Sequence, residues 1–221
     1  MERKIEEFFF TSENEPHSLI SEAFRAIRTS LHYACVDGNK KCILFTSSLP
    51  GEGKTSIAVN LAILSAREGK KVLLVDGDLR RPNLHFILNQ TNRLGLSYVL
   101  TGYNELKNSI TETGIANLHL LPAGPIHPSP AELLSSIRLT RLIEMCKEQY
   151  DVIYIDSPPL LSVSDANILT RSVDGIVLIV RSLIAKKEQL KKSKQILQPS
   201  KHKIVGVILN DKKLDQESVI V

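Results

Sequence analysis

No window of this 221-residue chain approaches eighteen uninterrupted apolar residues, so the sequence offers no bilayer-spanning helix. Its opening stretch, Met1 to Phe10, lacks the long apolar core of an export signal. Together these absences predict a cytosolic location. Cysteine is scarce. Cys35, Cys42 and Cys146 are widely spaced and not grouped with histidines, which argues against a metal set and for buried thiols in a reducing compartment. Neither an internal repeat nor a low-complexity tract is visible. Nothing sets a serine, a histidine and a carboxylate in the order of a nucleophilic triad, and His85 and His127 stand isolated. Seven lysines between Lys186 and Lys203 face one glutamate. With no aromatic platform beside them they read as a solvated helix flank, and no nucleic-acid partner is expected. The formal net charge of +4 is modest. What remains is ordinary globular material, 43% apolar and 24% charged, enough for one good core.

The most informative stretch is Ile43 to Ile57. A short apolar run enters a turn containing Pro50, Gly51, Glu52 and Gly53, and the turn leads into a helix-like segment through Lys54, Thr55 and Ser56. The two glycines let the backbone curl and point successive N–H groups inward. Lys54 adds a mobile positive charge, and Thr55 a hydroxyl suited to Mg²⁺. A triphosphate uses all of these at once. The strict phosphate-loop pattern wants glycine where Ser48 stands, so this window alone leaves a plain glycine turn open.

Strand-length apolar runs alternate with helical stretches along the chain. Strands are expected at Cys42–Ser47, Val72–Asp76, Leu118–Leu121, Val152–Asp156, Gly175–Val180 and Ile204–Leu209. Helices are expected over Thr55–Arg67, Pro130–Gln149, Asp165–Arg171 and Lys186–Leu197, the first ended by Gly69. Ser129 reads as a cap with Pro130 at the first helical position and Glu132 completing a capping box. Ser164 or Asp165 reads as the cap of a later helix. The alternation predicts an α/β fold: a mostly parallel sheet flanked by helices, with ligands gathered at the carboxyl ends of the strands.

Asp76, Asp156 and Asn210 each follow such a strand, which brings them to the edge that carries the glycine loop. Asp78, Arg80 and Arg81 come just after Asp76. Carboxylates beside phosphate repel it unless a cation intervenes, and Mg²⁺ bridging Thr55, a carboxylate or its water, and the phosphates resolves the conflict. Each aspartate taken singly also suits a cap or turn. The side chain of Asp78 is equally suited to holding Arg80, and Arg80 to a phosphate or to a structural ion pair.

Taken together, Ser47 to Thr55, Val72 to Pro82 and Val152 to Pro159 resemble the loop and the second and third Walker boxes of the bacterial tyrosine kinases of the capsular and exopolysaccharide type. That family has the P-loop NTPase fold and lies among the deviant phosphate-loop ATPases related to division-site and partition ATPases. Leu49 stands where partition ATPases carry a signature lysine, and with Pro50 and Glu52 this favours the kinase branch. Glu22 to Thr29 looks like the family's amino-terminal helix, in which Glu22, Arg25 and Arg28 serve contacts between subunits of a ring. Their three-residue spacing puts them on one helical face. Gly124 to Leu134 and Ser164 to Ala166 also match, so the likeness covers residues 18 to 210.

The resemblance implies an ATP- and Mg²⁺-dependent protein tyrosine kinase that regulates capsule or exopolysaccharide synthesis. It implies a segment with an oligomerisation helix over residues 1–40, a kinase domain over 41–210 and a tail over 211–221. The site would comprise Pro50, Gly51, Glu52, Gly53, Lys54, Thr55, Ser56, Arg80 and Asn210 around the nucleotide. Thr55, Asp78 and Asp156 would hold Mg²⁺, and Lys54, Asp76 and Asp78 would serve catalysis, with Asp76 orienting or activating the phenol. Asn210 resembles the family's adenine contact; the alternative is a structural amide bonding the loop backbone. The implied partners are further copies of the chain, protein tyrosine substrates, and a transmembrane polysaccharide co-polymerase whose cytosolic tail activates the kinase and tethers it to the inner face of the membrane. Family members usually end in a tyrosine cluster, whereas no tyrosine follows Tyr154 here. Either an acceptor tail follows Val221 or other substrates serve. The rival reading is an ATP-hydrolysing oligomeric switch on a membrane partner, without kinase activity.

Overall fold

The computed structural model describes residues 18–36, 39–182 and 184–211. Seven strands form one sheet: β1 (Cys42–Ser47), β2 (Val72–Asp76), β3 (Thr111–Glu112), β4 (Leu118–Leu121), β5 (Val152–Asp156), β6 (Gly175–Arg181) and β7 (Ile204–Asn210). Their order is β3-β4-β2-β5-β1-β6-β7. All neighbours are parallel except β3 against β4. The interior strands are continuous apolar runs because both of their faces are covered, and every residue of β1 and β2 is buried.

The two-residue period of a strand divides the core. Ile43, Phe45, Leu74 and Tyr154 point into one layer, against α1 (Leu19–Val36), α2 (Lys54–Arg67) and α3 (Leu84–Ile87). Leu44, Leu73, Val75 and Ile155 point into the other. That layer is closed by α4 (Leu96–Thr101), α6 (Pro130–Ser135), α7 (Ile137–Gln149), α8 (Asp165–Leu169) and α9 (Lys187–Leu197). Between α4 and β3 lies α5 (Leu106–Ser109), and a 3₁₀ turn (Gln198–Lys203) leads into β7. Phe45 and Tyr154 meet edge to face, 5.2 Å between centroids, under α2.

The single helix expected over Pro130–Gln149 is two. Ser136 is extended (φ −70°, ψ 147°), and its hydroxyl donates to the Leu133 carbonyl at 2.7 Å, closing α6 before α7 begins. Ser129 and Ser164 stand at the expected N-cap positions, with Pro130 opening its helix, but neither serine makes a side-chain capping bond. Three short helices, α3, α4 and α5, occupy sequence from which no element was expected. Gly69 ends α2 as expected, with φ +85°. Among the described residues no helix is long and apolar enough to cross a membrane.

Candidate active site

The glycine loop leaves β1 at the carboxyl edge of the sheet. Gly51 and Gly53 take the left-handed φ values +78° and +92° that the turn demands. At Gly53 the demand is double, because a Cβ there would lie 2.2 Å from Asn210 Nδ2. Asn210, at the end of β7, donates to the Glu52 carbonyl at 3.0 Å. The Glu52 side chain turns inward and is buried: Oε2 accepts from the Leu49 N–H at 2.7 Å and Oε1 from the Arg181 N–H at 3.3 Å. Arg181 Nη1 donates to the Gly51 carbonyl at 3.2 Å, while its Nε pairs with Asp211 at 3.1 Å. One carboxylate thus braces the loop from inside, and the ends of β6 and β7 brace it from outside. Ser48 does not have positive φ, so no glycine is required there, and its buried hydroxyl accepts from Ser193 Oγ of α9 at 2.8 Å.

The loop runs straight into α2, whose first N–H groups have no carbonyl within the helix to bond. Lys54, Thr55 and Ser56 surround that end half-buried, and Pro50 is exposed. A helix start with unsatisfied donors, a lysine and a hydroxyl is a cradle for phosphate oxygens.

Two carboxylates face this cradle because β2 and β5 pair in a register that sets Asp76 beside Asp156. Thr55 Oγ1 donates to Asp156 Oδ2 at 2.7 Å, and the other oxygen, Oδ1, is buried with no hydrogen-bond partner. Burial pushes the Asp156 carboxyl up to about 6 against the opposing pull of Lys54 and the Thr55 bond. Asp76 is fully buried; Oδ2 accepts from the Asn83 and Leu84 N–H groups, each at 3.0 Å, and Oδ1 from that of Asp78 at 3.2 Å. Burial, and next the neighbouring Asp156, push its carboxyl up to about 7. Asp78 is half-buried and accepts from the Arg81 N–H at 3.0 Å, not from Arg80. Arg80 forks onto the fully buried Asp165 carboxylate at 2.8 and 3.1 Å. An unpartnered buried carboxylate oxygen beside a hydroxyl is a donor set that fits a divalent cation, and the nearby Lys54 ammonium suits the phosphate carried in with it.

A family model described as an AAA domain matches residues 40–207. The tyrosine-protein kinase YwqD of Bacillus subtilis (strain 168) is 43% identical over 204 residues, covering 92% of this chain and 86% of its own. This chain belongs to the bacterial tyrosine kinase family. Among solved structures, the chimerical protein CapA2B2 superposes with a TM-score of 0.86 at 37% identity, over 92% of this chain and 89% of the other. The septum site-determining protein MinD of Pyrococcus horikoshii OT3, solved with Mg-ADP, superposes with a TM-score of 0.67 at 28% identity, over 80% and 74%. The bacterial tyrosine kinases and the division-site ATPases therefore share this fold.

Elsewhere in this kinase-family chain, Glu22 and Arg25 form an ion pair on the exposed face of α1. Arg28 instead turns toward the body and pairs with Glu68, beyond the end of α2. Three contributors to the site were not singled out from sequence: Arg181, Asp165 and Ser193. Arg181 ends a buried strand as Asp76 and Asp156 do, so the rule that found the acids finds it too once cations are admitted. Asp165 and Ser193 reach the loops from helices far along the chain: the sequence marks Asp165 only as a cap and as part of a family segment, and no local pattern marks Ser193.

Proposed function

We propose that this chain transfers the γ-phosphoryl group of ATP to tyrosine hydroxyls of proteins, within a ring of its own copies that regulates capsule or exopolysaccharide synthesis. The observation that carries this reading is the unpartnered Asp156 oxygen set against Thr55 and Lys54 at the mouth of the loop, in a chain 43% identical to a tyrosine kinase. The N–H groups of residues 51–56 and Lys54 bind the β- and γ-phosphates and hold charge where it redistributes in transfer. Thr55, Asp156 and Asp78 would hold Mg²⁺, which would neutralise phosphate charge. Asp76 fixes the segment 77–84 through its three backbone bonds and so aims Asp78, the more open carboxylate, at the incoming phenol. Orientation of the phenol by Asp76 is thereby indirect. Asn210 and Arg80 border the nucleotide while keeping their bonds to Glu52 and Asp165. Glu22 and Arg25 on α1 meet the neighbouring subunit. A membrane-bound polysaccharide co-polymerase recruits the ring through its cytosolic tail.

The test is incubation with ATP, Mg²⁺ and a tyrosine-bearing peptide, with and without the partner's tail. Phosphotyrosine on the peptide is expected, and Lys54→Met should lower it by roughly 10²–10³-fold. Full activity of that variant rejects the loop as the catalytic centre. Release of free phosphate without phosphotyrosine supports the hydrolysing switch instead.

A further inference from the structure

Of the five tyrosines in the chain, one combines an exposed hydroxyl that has no hydrogen-bond partner among the described residues with a place outside every helix and strand, although its N–H donates to the Tyr98 carbonyl at 2.9 Å. Tyr150 and Tyr154 are buried, their hydroxyls bonded to His119 Nδ1 at 2.8 Å and Ser65 Oγ at 3.1 Å. Tyr33 is exposed but lies inside α1, where offering its ring to another active site means unwinding a helix. Tyr98 is half-buried within α4, its ring 5.8 Å from that of Tyr103. Tyr103 is 82% exposed, follows the left-handed Gly102 that ends α4, and lies outside any helix or strand.

Beside it, two arginines and a lysine rim a cavity whose floor is apolar, formed by Leu106, Ile110 and Leu142. The Arg138 guanidinium lies against Gly102, where a Cβ would come within 2.8 Å of Nη1. Arg138 and Arg141, three residues apart on α7, line this cavity of about 480 Å³ together with Gly102, Asn104 and Lys107. The acid on that rim, Glu105, is already paired with Lys107 at 3.0 Å. Arg138 spends one nitrogen on the Leu100 carbonyl at 3.0 Å.

We infer that Tyr103 accepts a phosphoryl group from the active site of another copy of this chain, and that the resulting phosphate docks on Arg138 and Arg141. The inference rests on the kinase reading above. In the step, Tyr103 Oη forms a bond to the γ-phosphorus as the bond from that phosphorus to the bridging oxygen of ADP breaks. The phenolic proton passes to a carboxylate of the donor site or to water, and phosphotyrosine and ADP are the products. The new dianion then finds two guanidinium groups with free donors, the geometry that orders phosphorylated loops. The segment between α4 and α5 becomes fastened to the first turns of α7.

The experiment mixes active chain with a tagged Lys54→Met acceptor in the activated assay, with the tyrosine peptide also present. Phosphopeptide mapping should place the acceptor's phosphate on Tyr103. Tyr103→Phe should cut acceptor labelling at least tenfold and leave peptide phosphorylation within twofold. A labelled peptide with an unmodified Tyr103 overturns the inference while leaving the kinase reading standing; an unlabelled peptide overturns both. Arg138→Ala with Arg141→Ala should speed phosphatase removal of the Tyr103 phosphate several-fold, and an unchanged rate removes the docking half of the claim.

Discussion

Asp76 and Asp156 are paired across two strands, both buried, with one oxygen of Asp156 unbonded. Without a cation this arrangement opposes folding. Both carboxyls are held above their unfolded value of roughly 4, so the folded chain binds their protons more tightly than the unfolded chain does. Their destabilising effect is therefore absent below about pH 4, grows as pH rises, and is complete above about 7, the folded value of Asp76. Asp156, raised to about 6, accounts for at most about 3 kcal/mol of it. Urea unfolding of the ligand-free Asp156→Asn variant should show higher stability than the parent at pH 8 and a smaller gap at pH 5. The variant should also lose the stabilisation that Mg²⁺ adds to ADP. A variant as pH-sensitive as the parent would show that the strain lies elsewhere.

At the scale of elements, α1 shows how one sequence pattern hides two environments. Glu22, Arg25 and Arg28 share a face by spacing, yet the structure commits Arg28 to Glu68 and leaves Glu22 and Arg25 outside. The Arg28 Nε is buried without a partner, so its stem packs as well as pairs. On the proposed ring, Arg25→Ala should dissociate the copies in sedimentation while moving subunit stability by less than about 0.5 kcal/mol, as exposed ion pairs do. Arg28→Ala should cost roughly 1 kcal/mol of stability besides any effect on assembly. An Arg25→Ala oligomer of parental size would sever α1 from the interface. The helix break at Ser136 belongs to this scale too. The apolar periodicity runs through it, and what stops the helix is one hydroxyl folding back on Leu133, a competition that pattern reading does not weigh. Helices α3 to α5, only four to six residues long, are too short to show a period. The N–H groups of Leu96 and Ser97 are held by the carbonyls of Pro122 and Ala123 beyond β4, contacts no local window contains.

For the whole molecule, the six parallel strands were legible as apolar runs, forced in the sheet's interior by burial on both faces, while the two-residue β3 is too short to show one. The loop was legible because its glycines and lysine lie within one short segment. The bracing was not, since Arg80 meets Asp165 and Ser48 meets Ser193 across most of the fold. That separation has a thermodynamic consequence. The cradle is assembled from the ends of β1, β2, β5, β6 and β7, residues 47 to 210, so a ligand that holds it together resists unfolding of the entire sheet. Mg²⁺ with ADP at a hundred times its dissociation constant should add about 2.7 kcal/mol. For a chain of this size that raises the melting temperature by roughly 5–10 °C. The rise should be one cooperative shift, with amide protection gained in β2, β5 and β7 alike. It should shrink at pH 5.5, where the carboxylates hold protons that the cation must displace. A shift of equal size in EDTA would mean that the nucleotide is held without its metal, and that Asp156 is buried for some other reason.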